Sequence, residues 1–302
     1  MLTFVLIAFL SSAQLSAAGG FPPALPAVGE PSLQQTSPLI EFRARSLQPG
    51  EAVLIRVKGW EMMSEVRGRF LNQELHFFSQ AGEWSALGGV GLATSPGDYQ
   101  LEIEGTLPDG TLLKAVKDFT IEKKIFPLQS LKVDPRFIVL SPEDQRRAAE
   151  EQEIMRKVWE NPQPVRLWRG RFLAPIPDVE GRGFGNFRVF NDQRRSQHTG
   201  VDMSAPEGTP LRACNSGVVV LAMELFFGGN TIFIDHGEGL YSMYFHLSEI
   251  LVKKGDMVIR GETIGLVGAT GRVTGPHLHC SIRLKGARLD PFSLFSLALE
   301  EE

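Results

Sequence analysis

Cysteine is scarce in this 302-residue chain, which contains only Cys214 and Cys280. In an oxidising compartment the two could form a disulfide if their strands are neighbours. The favoured expectation is two separate buried thiols that behave as small apolar side chains. No cysteine stands directly after the apolar N-terminal stretch, since the first one is Cys214. This argues against a lipoprotein anchor.

An excess of positive charge is also missing, since the formal net charge is -4 at pH 7. Proteins that bind nucleic acid or an anionic membrane surface usually carry a basic excess, so neither is expected as a partner. The content of 43% hydrophobic residues is that of a soluble globular protein. A chain of 302 residues is long enough for two domains with ordinary cores.

A long apolar segment is the third absence. The N-terminal stretch MLTFVLIAFLSSAQLSAAGG has one apolar run followed by small residues, whereas a membrane-spanning helix needs about twenty apolar residues. We therefore expect no membrane span in the mature chain. Residues 1–18 are typical of a secretory signal peptide, and residues 19–36 form a Pro/Gly-rich lead-in.

What the chain does contain is a cluster of metal-binding residue types in its last third. His198 and Asp202 stand four apart in HTGVD, and His277 and His279 stand two apart in HLH. Side chains at positions i, i+2 and i+4 share one face of a β-strand. A catalytic zinc takes three ligands from His, Cys, Asp or Glu and leaves one position to water. The spacing therefore predicts a zinc site with one histidine to spare for chemistry.

Three segments around these residues resemble the zinc metallopeptidases of the lysostaphin/LytM type, family M23, which cut peptidoglycan peptides. They occur in the family's order, and the resemblance runs from about Phe172 to Phe295. The segments are HTGVDMSAPEGTPLRACNSGVVV, IFIDHGEGLYSMYFHL and VKKGDMVIRGETIGLVGATGRVTGPHLHCSI.

The resemblance implies a role for each of five positions. His198, Asp202 and His279 would be the ligands of one Zn²⁺ per chain, and His246 and His277 would be the two catalytic histidines that do not bind the metal. A neutral histidine could take a proton from water, and a protonated one could stabilise the oxyanion or protonate the leaving amine. Which histidine has which role stays open.

Two further histidines are expected to lie outside the site. His236 occupies a Gly-rich turn between NTIFID and LYSMYF, which read as two strands of a hairpin, so we expect a structural or surface role. His76 is expected to be a packing or surface residue.

The rest of the chain is predicted to be mainly β. About seven short alternating runs separated by turn signals predict an immunoglobulin-like β-sandwich over residues 37–123. Residues 164–298 are expected to form an all-β peptidase domain of the LytM type. Within it, VKKGDMVIRGETIG looks like a tight hairpin of the kind also found in biotinyl- and lipoyl-carrier domains.

Residues 124–163 are predicted to be a helical linker. Ser141 is the expected N-cap, Pro142 opens the helix, and Asn161-Pro162 ends it. Its apolar stripe is expected to dock on a neighbouring domain, and its charged face is expected to be solvated. The sandwich and the helix could cover the zinc groove, in which case a fragment beginning near Pro164 would be faster, or they could merely space or target the enzyme.

These features predict a secreted, zinc-dependent endopeptidase that acts on peptidoglycan cross-links or stem peptides in the periplasm or cell envelope. The alternative is a non-catalytic cell-wall binding module or amidase activator that keeps the peptidase fold. The resemblance leaves the cleaved bond open among D-Ala to diaminopimelate cross-links, stem peptides and glycine bridges. The absence of a recognisable cell-wall targeting repeat favours the diaminopimelate cross-links.

Overall fold

The computed structural model describes residues 37–80, 82–192 and 194–299. The predicted signal peptide (1–18) and the lead-in (19–36) lie outside the described residues. From residue 37 onward the chain forms one compact unit, and it is mainly β, as predicted. No helix among the described residues is long and apolar enough to cross a membrane.

The N-terminal part is a sandwich of two four-stranded antiparallel sheets, with strand orders β1-β2-β6-β5 and β4-β3-β7-β8. Both sheets contribute to one hydrophobic core that includes Ile55, Phe70 and Leu101. The strands are β1 (Leu39–Arg43), β2 (Ala52–Lys58), β3 (Glu65–Phe70), β4 (Gln73–His76), β5 (Phe78–Gln80), β6 (Glu83–Gly89), β7 (Gly97–Thr106) and β8 (Leu112–Ile121).

The two central strands of the first sheet, β2 and β6, are largely buried on both faces. Val53 and Ile55 of β2 point into the sandwich core, whereas Ala52 and Leu54 belong to the core of the C-terminal sheet. The amide of Ala52 also donates a hydrogen bond to Ser293 Oγ at 2.9 Å. The N-terminal sandwich and the C-terminal part therefore share a buried apolar interface.

Leu54→Ala is expected to lower the free energy of unfolding by about 2–5 kcal/mol, because it opens a cavity in this shared interface. Leu54 is only 2% exposed. Leu112→Ala is the matched control, since Leu112 is 54% exposed and its removal should change stability by no more than about 0.5 kcal/mol. Urea unfolding measures both variants. Equal stabilities would contradict the shared interface.

The linker contains more regular structure than a single helix. Its helix has the predicted start, because Ser141 Oγ accepts a hydrogen bond from the amide of Asp144 at 3.0 Å and Pro142 is the first helical residue. The helix ends at Val158, three residues before the predicted Asn161. The elements are β9 (Leu128–Leu131), a 3-10 helix (Pro135–Phe137) and α1 (Pro142–Val158).

Helix α1 docks on the C-terminal sheet as predicted, through Met155, Val158 and Trp159. The Trp159 ring stacks on Phe233, with ring centroids 5.4 Å apart. The prediction of a solvated charged face is wrong at Glu151, which is the one buried residue of α1. A charged residue can be buried when hydrogen bonds satisfy it, and such bonds are invisible in a helical periodicity.

The C-terminal part is a large antiparallel sheet with the order β10-β13-β20-β17-β16-β15-β18. Strand β19 pairs with β14 and β17, β21 pairs with β20, and β9, β11 and β12 form a separate small sheet. The elements are β10 (Gly181–Arg182), β11 (Phe187–Phe190), β12 (Arg194–Gln197), β13 (Val201–Met203), β14 (Pro210–Arg212), β15 (Gly217–Leu225), β16 (Gly229–Asp235), β17 (Leu240–Ile250), β18 (Met257–Val258), β19 (Thr263–Val267), β20 (Leu278–Leu284), β21 (Ala287–Leu289) and α2 (Pro291–Phe295).

Two details of this region bear on the sequence predictions. The prediction of a tight hairpin within VKKGDMVIRGETIG is wrong, because its two strands do not pair with each other. Strand β18 pairs with β15, and β19 pairs with β14 and β17. Cys214 and Cys280 are both buried and free, and burial raises the pKa of each thiol. The domain boundaries at residues 123 and 163 stay predictions.

Candidate metal centre

Strand pairing brings His198, Asp202 and His279 together. Asp202 of β13 lies directly opposite His279 of β20 in the antiparallel register, so their side chains can project from the same face of the sheet. His198 follows the last residue of β12 and reaches the same point from four residues upstream of Asp202. Among the described residues, these three form the one His/Cys/Asp/Glu group with metal-binding spacing.

The three donor atoms are close to one another. His198 Nε2 lies 2.8 Å from His279 Nδ1 and 3.1 Å from Asp202 Oδ1. His279 Nδ1 lies 2.9 Å from the same Asp202 oxygen. Ligands of a tetrahedral zinc, at about 2.0–2.1 Å from the metal, are roughly 3.3 Å apart. The cluster therefore needs only a small expansion to hold zinc.

The hydrogen bonds of His198 show why a cation fits here. Its Nδ1 lies 2.7 Å from the carbonyl of Gly183, and since a carbonyl can only accept, Nδ1 carries the proton and Nε2 presents a lone pair. His279 has Nε2 beside Ser281 Oγ at 2.9 Å and turns Nδ1 towards the cluster. The two imidazole lone pairs and the Asp202 carboxylate therefore point at one position. A divalent cation there would be bound by all three groups and would offset the negative charge of the carboxylate.

Arg188 is a further residue of the site, and the sequence analysis missed it. Its guanidinium donates to Asp202 Oδ2, so the other carboxylate oxygen, Oδ1, is the one that faces the two imidazoles. Burial opposes the ionisation of Asp202, but contacts with His198 and His279 outweigh it and hold the pKa of Asp202 well below its usual range. Asp202 is therefore a carboxylate at neutral pH. No motif marks Arg188, which reaches the site from β11.

His246 and His277 flank the three donors. Their ring centroids are 5.1 Å apart, and His277 Nε2 lies 3.7 Å from Asp202 Oδ1. Each ring donates its Nδ1 proton to a backbone carbonyl: His246 to Thr270 at 2.9 Å and His277 to Gly275 at 2.8 Å. Each Nε2 is therefore the basic nitrogen. Burial, reinforced by the neighbouring imidazoles, lowers the pKa of His246 to about 3.

His236 and His76 do not join this group, as predicted. His236 is fully buried, with Nδ1 donating to the Ser216 carbonyl at 2.8 Å and Nε2 lying 2.8 Å from Ser242 Oγ. Burial lowers its pKa to about 4, and both of its partners lie outside the cleft lining. His76 lies at the end of β4 in the sandwich and is exposed.

A cleft of about 490 Å³ contains the five residues, and the linker supplies part of its wall. Gln129 and Leu131 of β9 and Met155 of α1 line it, together with the loop that carries Arg272 to His277. Of the residues that the structure describes, none from the sandwich lines the cleft. Any effect of the N-terminal region on access would therefore be exerted by the linker, and a fragment beginning near Pro164 would lack this wall.

Comparison with known proteins identifies similar chains. The sequence profile described as Peptidase family M23 matches residues 196–291. A solved structure from Pseudomonas aeruginosa, assigned to peptidase M23, is 30% identical, and the match covers 83% of this chain and 96% of that one with a TM-score of 0.62.

Curated relatives are similar over a shorter segment. The peptidoglycan DD-endopeptidase ShyA of Vibrio cholerae is 48% identical over 94 residues, which are 31% of this chain and 22% of ShyA. The DD-carboxypeptidase/endopeptidase Mpg of Neisseria meningitidis is 44% identical over 97 residues, which are 32% of this chain and 22% of Mpg. The chain thus spans about a fifth of the length of these two relatives.

Proposed function

Because this chain belongs to peptidase family M23, we propose that it is a zinc-dependent endopeptidase that hydrolyses peptide bonds in peptidoglycan. The observation that carries the proposal is the convergence of His198 Nε2, Asp202 Oδ1 and His279 Nδ1 beside two further histidines in one cleft. A binding module would have no use for all five groups in this arrangement.

His198, Asp202 and His279 would hold the metal. When bound there, Zn²⁺ supplies a Lewis acid that polarises a carbonyl and makes water acidic near neutral pH. The chain itself fixes the ligand geometry, since Gly183 orients His198 and Arg188 occupies the second oxygen of Asp202. Such outer contacts keep the ligand atoms aimed at the metal position.

His246 and His277 would move the protons. With Nδ1 tied to a carbonyl, each ring has a basic Nε2, and such a nitrogen can take the proton of the attacking water. The same type of ring, once protonated, can donate to the departing amine nitrogen or to the developing oxyanion. The two rings lie 5.1 Å apart, so both can reach groups bound at the same part of the cleft.

The proposed substrate is a cross-linked peptide of peptidoglycan, with D-Ala to diaminopimelate as the proposed bond. ShyA, which is 48% identical over 94 residues, is named a peptidoglycan DD-endopeptidase, and the family profile covers the segment that contains His198, Asp202 and the HLH motif. The proposal includes export directed by the predicted signal peptide at residues 1–18, because this substrate lies in the periplasm or cell envelope.

Purified cross-linked muropeptides test the proposal. Incubation with the chain is expected to convert dimers into monomers, identified by mass, and chelation should abolish this conversion until Zn²⁺ is added back. Lack of product from zinc-loaded protein, together with retained binding to peptidoglycan, would contradict the proposal and favour the non-catalytic module. Release of stem-peptide fragments instead of monomers would show that the cleaved bond lies in the stem peptide and not in the cross-link.

A further inference from the structure

The turn between β15 and β16, taken together with the first residue of β16 as the 226–229 turn, contacts both histidine-bearing segments of the cleft. The carbonyl of Gly228 accepts a hydrogen bond from the amide of His246 at 2.8 Å. The carbonyl of Phe227 accepts one from the amide of Arg272 at 2.9 Å, in the loop that leads to the HLH motif. The 226–229 turn therefore helps to fix the positions of both segments.

The backbone conformation of His246 depends on hydrogen bonds to neighbouring segments. Its backbone φ is +67°, a left-handed conformation that a residue with a Cβ rarely adopts and that persists only where the surroundings over-determine it. Two hydrogen bonds do so here: the amide donates to Gly228 and the ring Nδ1 donates to Thr270. Loss of the first bond would leave the His246 amide unpaired between Phe245 and Leu247, which are held by strand pairing.

The linker helix α1 holds the 226–229 turn through a hydrogen bond to Glu151. Glu151 of α1 is 7% exposed, and its Oε2 accepts a hydrogen bond from the amide of Phe226 at 2.7 Å. Its Oε1 accepts from Arg147 Nε, also at 2.7 Å. A buried carboxylate needs such partners, and without Glu151 the Phe226 amide would lose its acceptor.

The turn has no room to adjust independently of its neighbours. A Cβ placed on Gly229 would collide with Thr270, and one on Gly228 would lie 2.9 Å from the Phe245 ring. Closely packed groups transmit displacements instead of absorbing them. A shift of the turn would therefore reach Thr270, whose carbonyl holds the His246 ring, as well as the His246 amide.

We propose that Glu151 is a positioning residue for His246, acting through the 226–229 turn. The inference rests on the proposed catalytic role of His246. Helix α1 lies outside residues 196–291, which match the family profile. The linker helix is thus a working part of the catalytic apparatus, in addition to joining the sandwich to the peptidase sheet.

Two substitutions of nearly equal size separate the hydrogen bond from the packing. Glu151→Gln keeps an oxygen that can accept from Phe226, whereas Glu151→Met keeps the bulk and removes the acceptor. In the full chain with zinc bound, Glu151→Met is expected to lower kcat at least about tenfold, because small misplacements of catalytic groups are costly. KM should change by less than about twofold and zinc content should be unchanged. Glu151→Gln should recover most of kcat.

Glu150→Met is the matched control, since Glu150 is the exposed neighbour on the same helix, and it should behave as the original chain. Wild-type kcat in Glu151→Met, or an equal loss in Glu151→Gln, would overturn the proposal. Hydrogen exchange at the amides of Phe226 and His246 gives a second readout that needs no activity. Faster exchange is expected in Glu151→Met alone, and unchanged exchange would overturn the link. An inactive original chain would refute the proposed function, while exchange would still decide the role of Glu151.

Discussion

Asp202→Ala and His279→Ala are each expected to lose most of the bound zinc and nearly all activity. Either change leaves two donors of the set His198, Asp202 and His279, and two donors cannot complete the three-ligand site that a catalytic zinc requires. In Asp202→Ala the guanidinium of Arg188 would also lose its carboxylate partner, which places an unpaired positive charge next to the metal position. Zinc per chain, measured on dialysed protein, and muropeptide cleavage report the two losses.

His76→Ala is the matched control for His279→Ala, because His76 is exposed in the sandwich. It should keep one zinc per chain and full activity. Full zinc content in both ligand variants would refute the assignment of the metal centre. Loss of zinc with unchanged cleavage would instead show that the metal is structural.

The second large effect is expected at the two flanking histidines. His246→Ala and His277→Ala should keep zinc near the original level and lower kcat by about 10²-fold or more, the usual scale for removing acid-base or oxyanion assistance. The reason is that neither ring belongs to the three-donor cluster, although both line the same cleft. Metal analysis and kcat on the same preparation separate this outcome from ligand loss.

His236→Ala provides the comparison with a histidine that is buried but lies outside the cleft lining. It should lower stability, because the partners Ser216 and Ser242 lose hydrogen bonds, while the folded fraction keeps both zinc and kcat. A His236 variant that is fully folded yet as inactive as the His277 variant would show that the catalytic histidines are misassigned.

The convergence of the candidate residues could be predicted from sequence where they sit on regular strands. His279 and Asp202 face each other through strand register, and the two-residue spacing in HLH follows the alternation of a strand. Arg188 and Glu151 carry no such signal. Each is recruited by a tertiary contact, to Asp202 and to the Phe226 amide respectively, and a contact between distant segments leaves no local pattern to read.

The fold shows the same division. The Ser141 cap and the start of α1 were predictable, because a cap is a local hydrogen bond. The sandwich has eight strands where about seven alternating runs were expected, and β6, Glu83–Gly89, lacks the alternation because most of it is buried on both faces. Its Ala86 packs in the sandwich core while Leu87 packs in the core of the C-terminal sheet. The strand could be predicted only if it were known that the C-terminal sheet packs on its outer face.

The bond between Ala52 and Ser293 has a consequence for the order of assembly, because it joins residues 241 positions apart. Chains generally fold from the N-terminus as they are made, and long-range contacts form late. Trp168 packs on the outer face of the first sheet against Phe78, but the part that Ser293 of α2 contacts is completed only after every residue of the cleft has been made. Completion of this buried interface is therefore expected to follow the synthesis of every residue of the cleft.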